Sequence, residues 1–176
     1  MSINKKIIAV DIGGSNIRVA ITNPDGKIFK KISFENDGNK DISIATEKIL
    51  YNILNIKEKN NILGIGISSA GPIDPNTGTY NHSPNLSSWH GKSMKKTLEQ
   101  VTNLPVFFGH DATLAALAEV THGEFKNSEN LIYITISTGI GGGIIANNKM
   151  ITGKSGSIEL GQMIVNPGGE KCNIGC

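Results

Sequence analysis

Two glycine-rich turns constrain what this chain can fold into. The first, Asp11-Ile12-Gly13-Gly14-Ser15-Asn16, follows the apolar run Ile7-Ile8-Ala9-Val10 and leads at once into an alternating segment from Ile17 to Thr22. The second, Ser137-Thr138-Gly139-Ile140-Gly141-Gly142-Gly143, sits between the strand-like runs Leu131 to Ile136 and Ile144 to Ala146. Glycines that join strand to strand argue against a dinucleotide-binding fold, where they open a helix. No Gly-x-x-x-x-Gly-Lys-Ser/Thr run is present, which excludes a P-loop. Taken singly, the first turn also describes a plain β-hairpin and the second a glycine-rich bulge. As a pair, each after a strand, they suit a nucleotide gripped between two related domains.

The rest of the chain fits around them. Asn23-Pro24-Asp25-Gly26 is a strong turn signal before a third strand from Lys27 to Phe34. From Asp41 to Lys57, Ile42, Ala45, Ile49, Leu50, Ile53 and Leu54 recur at helical spacing. Ile62 to Ser68 reads as a strand, and residues 72–92, rich in Pro, Asn, Gly and Ser, as loop. A helix from Ser93 to about Val101 and a short strand from Val106 to Phe108 follow. An Ala- and Leu-rich helix then runs from Asp111 to His122. Three strands, a helix, a strand and a helix in that order form the core topology of the actin-like phosphotransferases. The predicted fold is therefore α/β: an actin-like ATPase (ribonuclease-H-like) fold with a mixed central β-sheet flanked by helices. The predicted domains are 1–122 and the beginning of a second at 123–176, cut short because Asn173-Ile174-Gly175-Cys176 closes no helix or strand.

Composition excludes several classes. At 38% hydrophobic and 18% charged, the 176 residues describe an ordinary globular chain. A net charge of +2 with Arg18 as the only arginine gives no footprint for nucleic acid. Asp11 ends the first apolar run short of the ~7–15 residues of a signal core. Nothing approaches the ~18 apolar residues of a membrane span. The cytoplasm is the expected compartment, and no disulfide is expected between Cys172 and Cys176.

Carboxylates carry the candidate chemistry. Asp11, at a strand end before two glycines, can hold Mg²⁺ through water, since magnesium takes few carboxylates and keeps several waters. The glycines let the hairpin backbone approach a phosphate. In His110-Asp111-Ala112-Thr113, Asp111 reads as a helix N-cap. A rigidly held carboxylate there can also take a proton from a sugar hydroxyl during phosphoryl transfer, a contribution of ~10²–10⁴-fold.

Together these motifs resemble the ROK family of sugar kinases and sugar-responsive repressors, from about Lys6 to Cys172. Ala70-Gly71-Pro72-Ile73-Asp74 is similar to the family's loop after the fourth strand. Ser83-Pro84-Asn85-Leu86-Ser87-Ser88-Trp89 resembles its sugar-contacting Asn-Leu-x-x-Trp segment, and Glu159-Leu160-Gly161-Gln162 its Glu-x-Gly-His. The resemblance implies transfer of the ATP γ-phosphate to a hexose or N-acetylhexosamine hydroxyl, with Asp111 as general base. Asn85, His110, Glu159 and Gln162 would contact the sugar, with Gly71 lending its backbone. Asp11, Gly13, Gly14, Ser15, Thr138 and Gly139 would surround the phosphates and Mg²⁺. It implies a homo-oligomer, a dimer, when full length; Trp89, although inside the sugar-contacting segment, reads as mainly a structural anchor. Domain closure would hinge near Gly123 to Asn130.

Three departures from the family pattern matter. His110 stands where family kinases usually place Asn, bringing a bulkier, titratable ring. Gln162 replaces the histidine that joins three cysteines on structural zinc, and Ile174 replaces one of those cysteines. Zinc needs four donors, so none of the usual kind is expected. Repressor members carry a helix-turn-helix ahead of the first glycine motif, which here begins at Asp11, so the kinase branch is expected. A non-catalytic sugar-binding relative is the alternative.

Overall fold

The computed structural model describes residues 5–56, 61–137, 139–153, 156 and 158–170. Contacts divide the chain into two compact units, Met1–Asp111 and Ala112–Cys176. Among the described residues no helix is long and apolar enough to cross a membrane.

The first unit is built on a five-stranded mixed sheet of order β3-β2-β1-β4-β7. Strands β1 (Lys6–Ile12), β2 (Asn16–Thr22) and β3 (Ile28–Glu35) form an antiparallel meander. Strand β4 (Ile62–Ser69) runs parallel to β1, and β7 (Val106–His110) parallel to β4. Side chains alternate across a strand, so register fixes which ones share a face. One row across the sheet is Ile21, Ile8, Ile65 and Val106; the next is Val19, Val10, Ile67 and Phe108. All eight are buried.

Helix α1 (Ile42–Leu54) buries Ile42, Ala45, Ile49 and Ile53 in the same core, and α2 (Lys95–Thr102) adds Leu98. Each isoleucine removed from water contributes about 1.5–3 kcal/mol, against about 0–1 kcal/mol for an exposed ion pair. The core therefore holds the sheet together. The Asp41 carboxylate starts α1 by accepting from the Ser43 N–H at 2.9 Å.

The stretch 72–92, expected as loop, contains more structure than its composition suggests. A two-stranded ribbon pairs β5 (Ile73–Asp74) with β6 (Thr79–Tyr80), and a 3₁₀ turn covers Pro84–Trp89. Leu86 and Trp89 are wholly buried there. Trp89 packs edge-on to Tyr80 with ring centroids 5.0 Å apart, and its indole N–H donates to the Lys40 carbonyl at 3.0 Å. Buried apolar anchors thus override a loop-forming composition.

The second unit holds most of α3 (Asp111–Thr121) and an antiparallel sheet of order β10-β9-β8. Its strands are β8 (Leu131–Ile136), β9 (Ile140–Ala146) and β10 (Lys149–Ile151). The contact division falls at the start of α3, not at its end near residue 122. Close helix-to-strand packing accounts for this. A Cβ on Gly143 would lie 2.7 Å from the Ala112 carbonyl oxygen and 2.8 Å from the Ala116 Cβ. The same approach corrects the expectation of a glycine loop over 137–143. Gly141, Gly142 and Gly143 are strand residues, paired with Thr135, Ile134 and Tyr133. On the side of this sheet shared by Ile132, Ile134, Ile136 and Ile140, those four isoleucines are exposed.

Candidate functional site

The parallel strands place the first unit's candidate residues. Ile12, Ser69 and His110, the last residues of β1, β4 and β7, are register partners. Their carboxyl ends therefore share one sheet edge, the usual place for a ligand in an α/β sheet. The segments that leave that edge are the Gly13–Ser15 turn, the Gly71 loop and Asp111. A sequence spread over a hundred residues converges because three strands run the same way.

The hairpin turn is closed by the Gly13 N–H, which donates to the Asn16 carbonyl at 2.9 Å. Among the described residues, the Gly14 and Ser15 N–H groups donate to no backbone acceptor. Unused donors in a tight turn make an anion-binding concavity. Asp11 is not an isolated carboxylate. Arg18, its register partner across the hairpin, donates to it at 2.6 Å, with both side chains about half exposed. Sequence reasoning passed over Arg18 as a site residue. Counting outward from the turn would have set residues 11 and 18 face to face.

His110 and Asp111 close the far side of the edge. His110 is buried, and its ring lies against Gly71, where a Cβ would meet the His110 Cδ2 at 2.6 Å. Its Nε2 stands 3.4 Å from Oδ1 of Asp111, whose side chain is half exposed. A carboxylate at a helix start, steadied by a buried imidazole and open to solvent, can accept a proton from a bound hydroxyl. Asn85 lies exposed in the 3₁₀ turn, with Leu86 and Trp89 below it as anchors. Its carbonyl oxygen packs against Gly14, where a Cβ would approach to 2.9 Å.

In the second unit, Glu159 precedes a short 3₁₀ turn, Leu160–Gln162. The Gln162 amide donates to the Glu159 carboxylate at 3.3 Å. This turn is pressed onto β9, since a Cβ on Gly161 would lie 2.0 Å from the Ile140 carbonyl oxygen. Gly139 is exposed, and its carbonyl accepts from the Ser137 N–H at 2.8 Å. Thr138, Cys172, Ile174 and Cys176 lie outside the described residues. Among those described, no three metal-ligating side chains converge. An amide already donating to Glu159 does not replace an imidazole on zinc.

The sequence pattern of the ROK family matches residues 7–176. The chain belongs to the ROK family. Its α/β architecture is accordingly the actin-like ATPase fold that this family shares. The chain is similar to a glucokinase from Thermotoga maritima, 33% identical over 174 residues, covering 97% of this chain and 54% of that protein. It is also similar to a xylose repressor from Caldicellulosiruptor bescii, 33% identical over 192 residues, covering 100% of this chain and 47% of that protein. Among solved structures, a ROK family glucokinase from Streptomyces griseus, in complex with glucose and AMPPNP, matches with a TM-score of 0.82 at 31% identity. That match covers 97% of this ROK chain and 54% of the other. The chain thus spans about half the length of these relatives.

Proposed function

We propose that this ROK chain is the sugar- and phosphate-contacting part of an ATP-dependent sugar kinase acting on a hexose or N-acetylhexosamine. The observation that carries the reading is the shared register of Ile12, Ser69 and His110, which delivers the Gly13–Ser15 turn, Gly71 and Asp111 to one edge. In the reaction, Asp111 takes the proton of a sugar hydroxyl as that oxygen bonds to the γ-phosphorus. The bond from the γ-phosphorus to the β,γ-bridging oxygen breaks, and ADP leaves. His110 steadies the Asp111 carboxylate from 3.4 Å. Asn85, Gly71, His110, Glu159 and Gln162 contact the sugar. The Gly14 and Ser15 N–H groups, with Thr138 and Gly139, receive phosphate oxygens. A magnesium ion would offset phosphate charge, with Asp11 the residue placed to hold its water shell and Arg18 sharing that carboxylate. The working form is a cytoplasmic homodimer, with closure hinged over residues 123–130.

A sugar-responsive protein without catalysis is the second reading. Gln162 in place of histidine and the similarity to a xylose repressor favour it. A coupled ATP-consumption assay on the full-length gene product, over a panel of hexoses and N-acetylhexosamines, separates the two. Turnover that disappears in Asp111→Asn supports the kinase. Sugar binding without turnover supports the sensor.

A further inference from the structure

Six residues, 36–41, join β3 to α1, and none of the sequence motifs gives them a role. In the structure they touch both halves of the candidate site within the first unit. On one side, the Asn36 side-chain amide donates to the Gly13 carbonyl at 2.8 Å. The Asn36 N–H donates to the Ser15 carbonyl at 2.9 Å, and the Gly38 N–H to the Gly14 carbonyl at 3.3 Å. Every carbonyl of the Gly13–Ser15 turn is thus held by this one segment.

On the other side, the same segment receives the sugar-contacting turn. The Ser88 N–H donates to the Gly38 carbonyl at 3.2 Å, and the Ser88 hydroxyl to the Asn39 carbonyl at 2.6 Å. The Ser87 hydroxyl donates to Asn39 Oδ1 at 2.9 Å, and the Trp89 indole to the Lys40 carbonyl. Gly14 and Gly38 form a notch for the Asn85 carbonyl oxygen, where Cβ atoms would come to 2.9 and 2.1 Å. No side chain fits at Gly38 without moving the Asn85 backbone.

We infer that residues 36–41 are a strap that transmits occupancy of the Gly13–Ser15 turn to the position of Asn85, with Asn36 as its positioning residue. The inference rests on the reading of the turn as a phosphate site and of Asn85 as a sugar contact. An anion that draws the Gly14 and Ser15 N–H groups toward itself also moves the carbonyls that Asn36 and Gly38 hold. The shift reaches Asn85 through the Gly38–Ser88 and Asn39–Ser87 bonds. Nucleotide and sugar then raise each other's affinity by the same factor, because the coupling of two sites is reciprocal.

Calorimetric titration of the full-length protein tests this without requiring turnover. The probes are AMPPNP and whichever of glucose, mannose and N-acetylglucosamine binds best. In the wild type, saturating AMPPNP should tighten sugar binding by about 5-fold or more. Asn36→Asp, which keeps the shape but loses the donor to Gly13, should bring that factor below about 2-fold while each ligand alone still binds. Asn36→Gln, which keeps an amide donor, should recover part of it. If Asn36→Asp does not fold, as judged by its melting transition, the exposed Ser87→Ala tests the other end and should lower the factor. Both ligands binding with no coupling, or coupling unchanged in every folded variant, overturns the strap alone. Sugar binding with no AMPPNP binding overturns the strap and the kinase reading together.

Discussion

Arg18 and Asp11 face each other across the β1–β2 hairpin, guanidinium to carboxylate at 2.6 Å, beside the turn read as the phosphate site. Both are about half exposed, so their pairing adds little to stability, about 0–1 kcal/mol. Its consequence lies in how strongly Asp11 is available to a hydrated cation. Arg18→Gln should leave the unfolding midpoint nearly unchanged and shift the Mg²⁺ concentration that gives half-maximal turnover. A thermal melt and a Mg²⁺ titration of the kinase rate check the two halves.

Asp111→Asn is nearly isosteric and removes the proposed base. Turnover should fall by roughly 10²–10⁴-fold, with sugar affinity changed by only a few-fold. Steady-state kinetics together with direct sugar titration read both quantities. An equal loss in affinity would point to a binding role for Asp111.

Gly71 has no room for a side chain because the His110 ring already fills that space. Gly71→Ala should destabilise by about 1–3 kcal/mol through overpacking and lower activity by displacing the ring next to Asp111. His110→Asn, smaller and matching the residue usual in family kinases, should recover part of the loss when combined with it. A double-mutant cycle on urea midpoints and on kcat/KM measures the recovery.

Asp41, half exposed and paired with Lys92 at the start of α1, contributes to the acid limb of stability. The Lys92 ammonium bonded to its carboxylate, and then the Ser43 amide it caps, hold its pKa well below the ordinary 3.8. A carboxyl depressed in the folded state stabilises folding above its unfolded value, and that contribution disappears as pH falls through the folded value. Stability should therefore be level from neutrality to about pH 4 and decline below it. Asp41→Asn keeps a helix cap and loses the charge, so its decline should be shallower. Urea unfolding at a series of pH values from 6 to about 2.5 decides this.

Much of the fold was legible because its elements announce themselves locally. The Asp25-Gly26 turn, the apolar spacing of α1 and the Asp111 start of α3 lie within a few residues of their causes. Gly141 to Gly143 were not legible, because a glycine run reads as loop until α3 is known to lie against it. The strap was hidden for a different reason. Asn36 to Asp41 has the composition of a turn, and its partners Ser87, Ser88 and Trp89 lie almost fifty residues along the chain. Hydrogen bonds of that range leave no local pattern. The Asp11–Arg18 pair falls between these cases, since hairpin register alone would have revealed it.

The exposed isoleucines of β8 and β9 bear on how these 176 residues behave in a test tube. Ile132, Ile134 and Ile136 on β8, with Ile140 on the neighbouring β9, form an apolar strip on strands of high β-propensity, the type of surface on which chains stick to one another. Expressed alone, the 176-residue polypeptide should accumulate as inclusion bodies or elute as large particles. Its yield should improve when Ile134 is exchanged for Lys, which places a solvated charge in the middle of the strip.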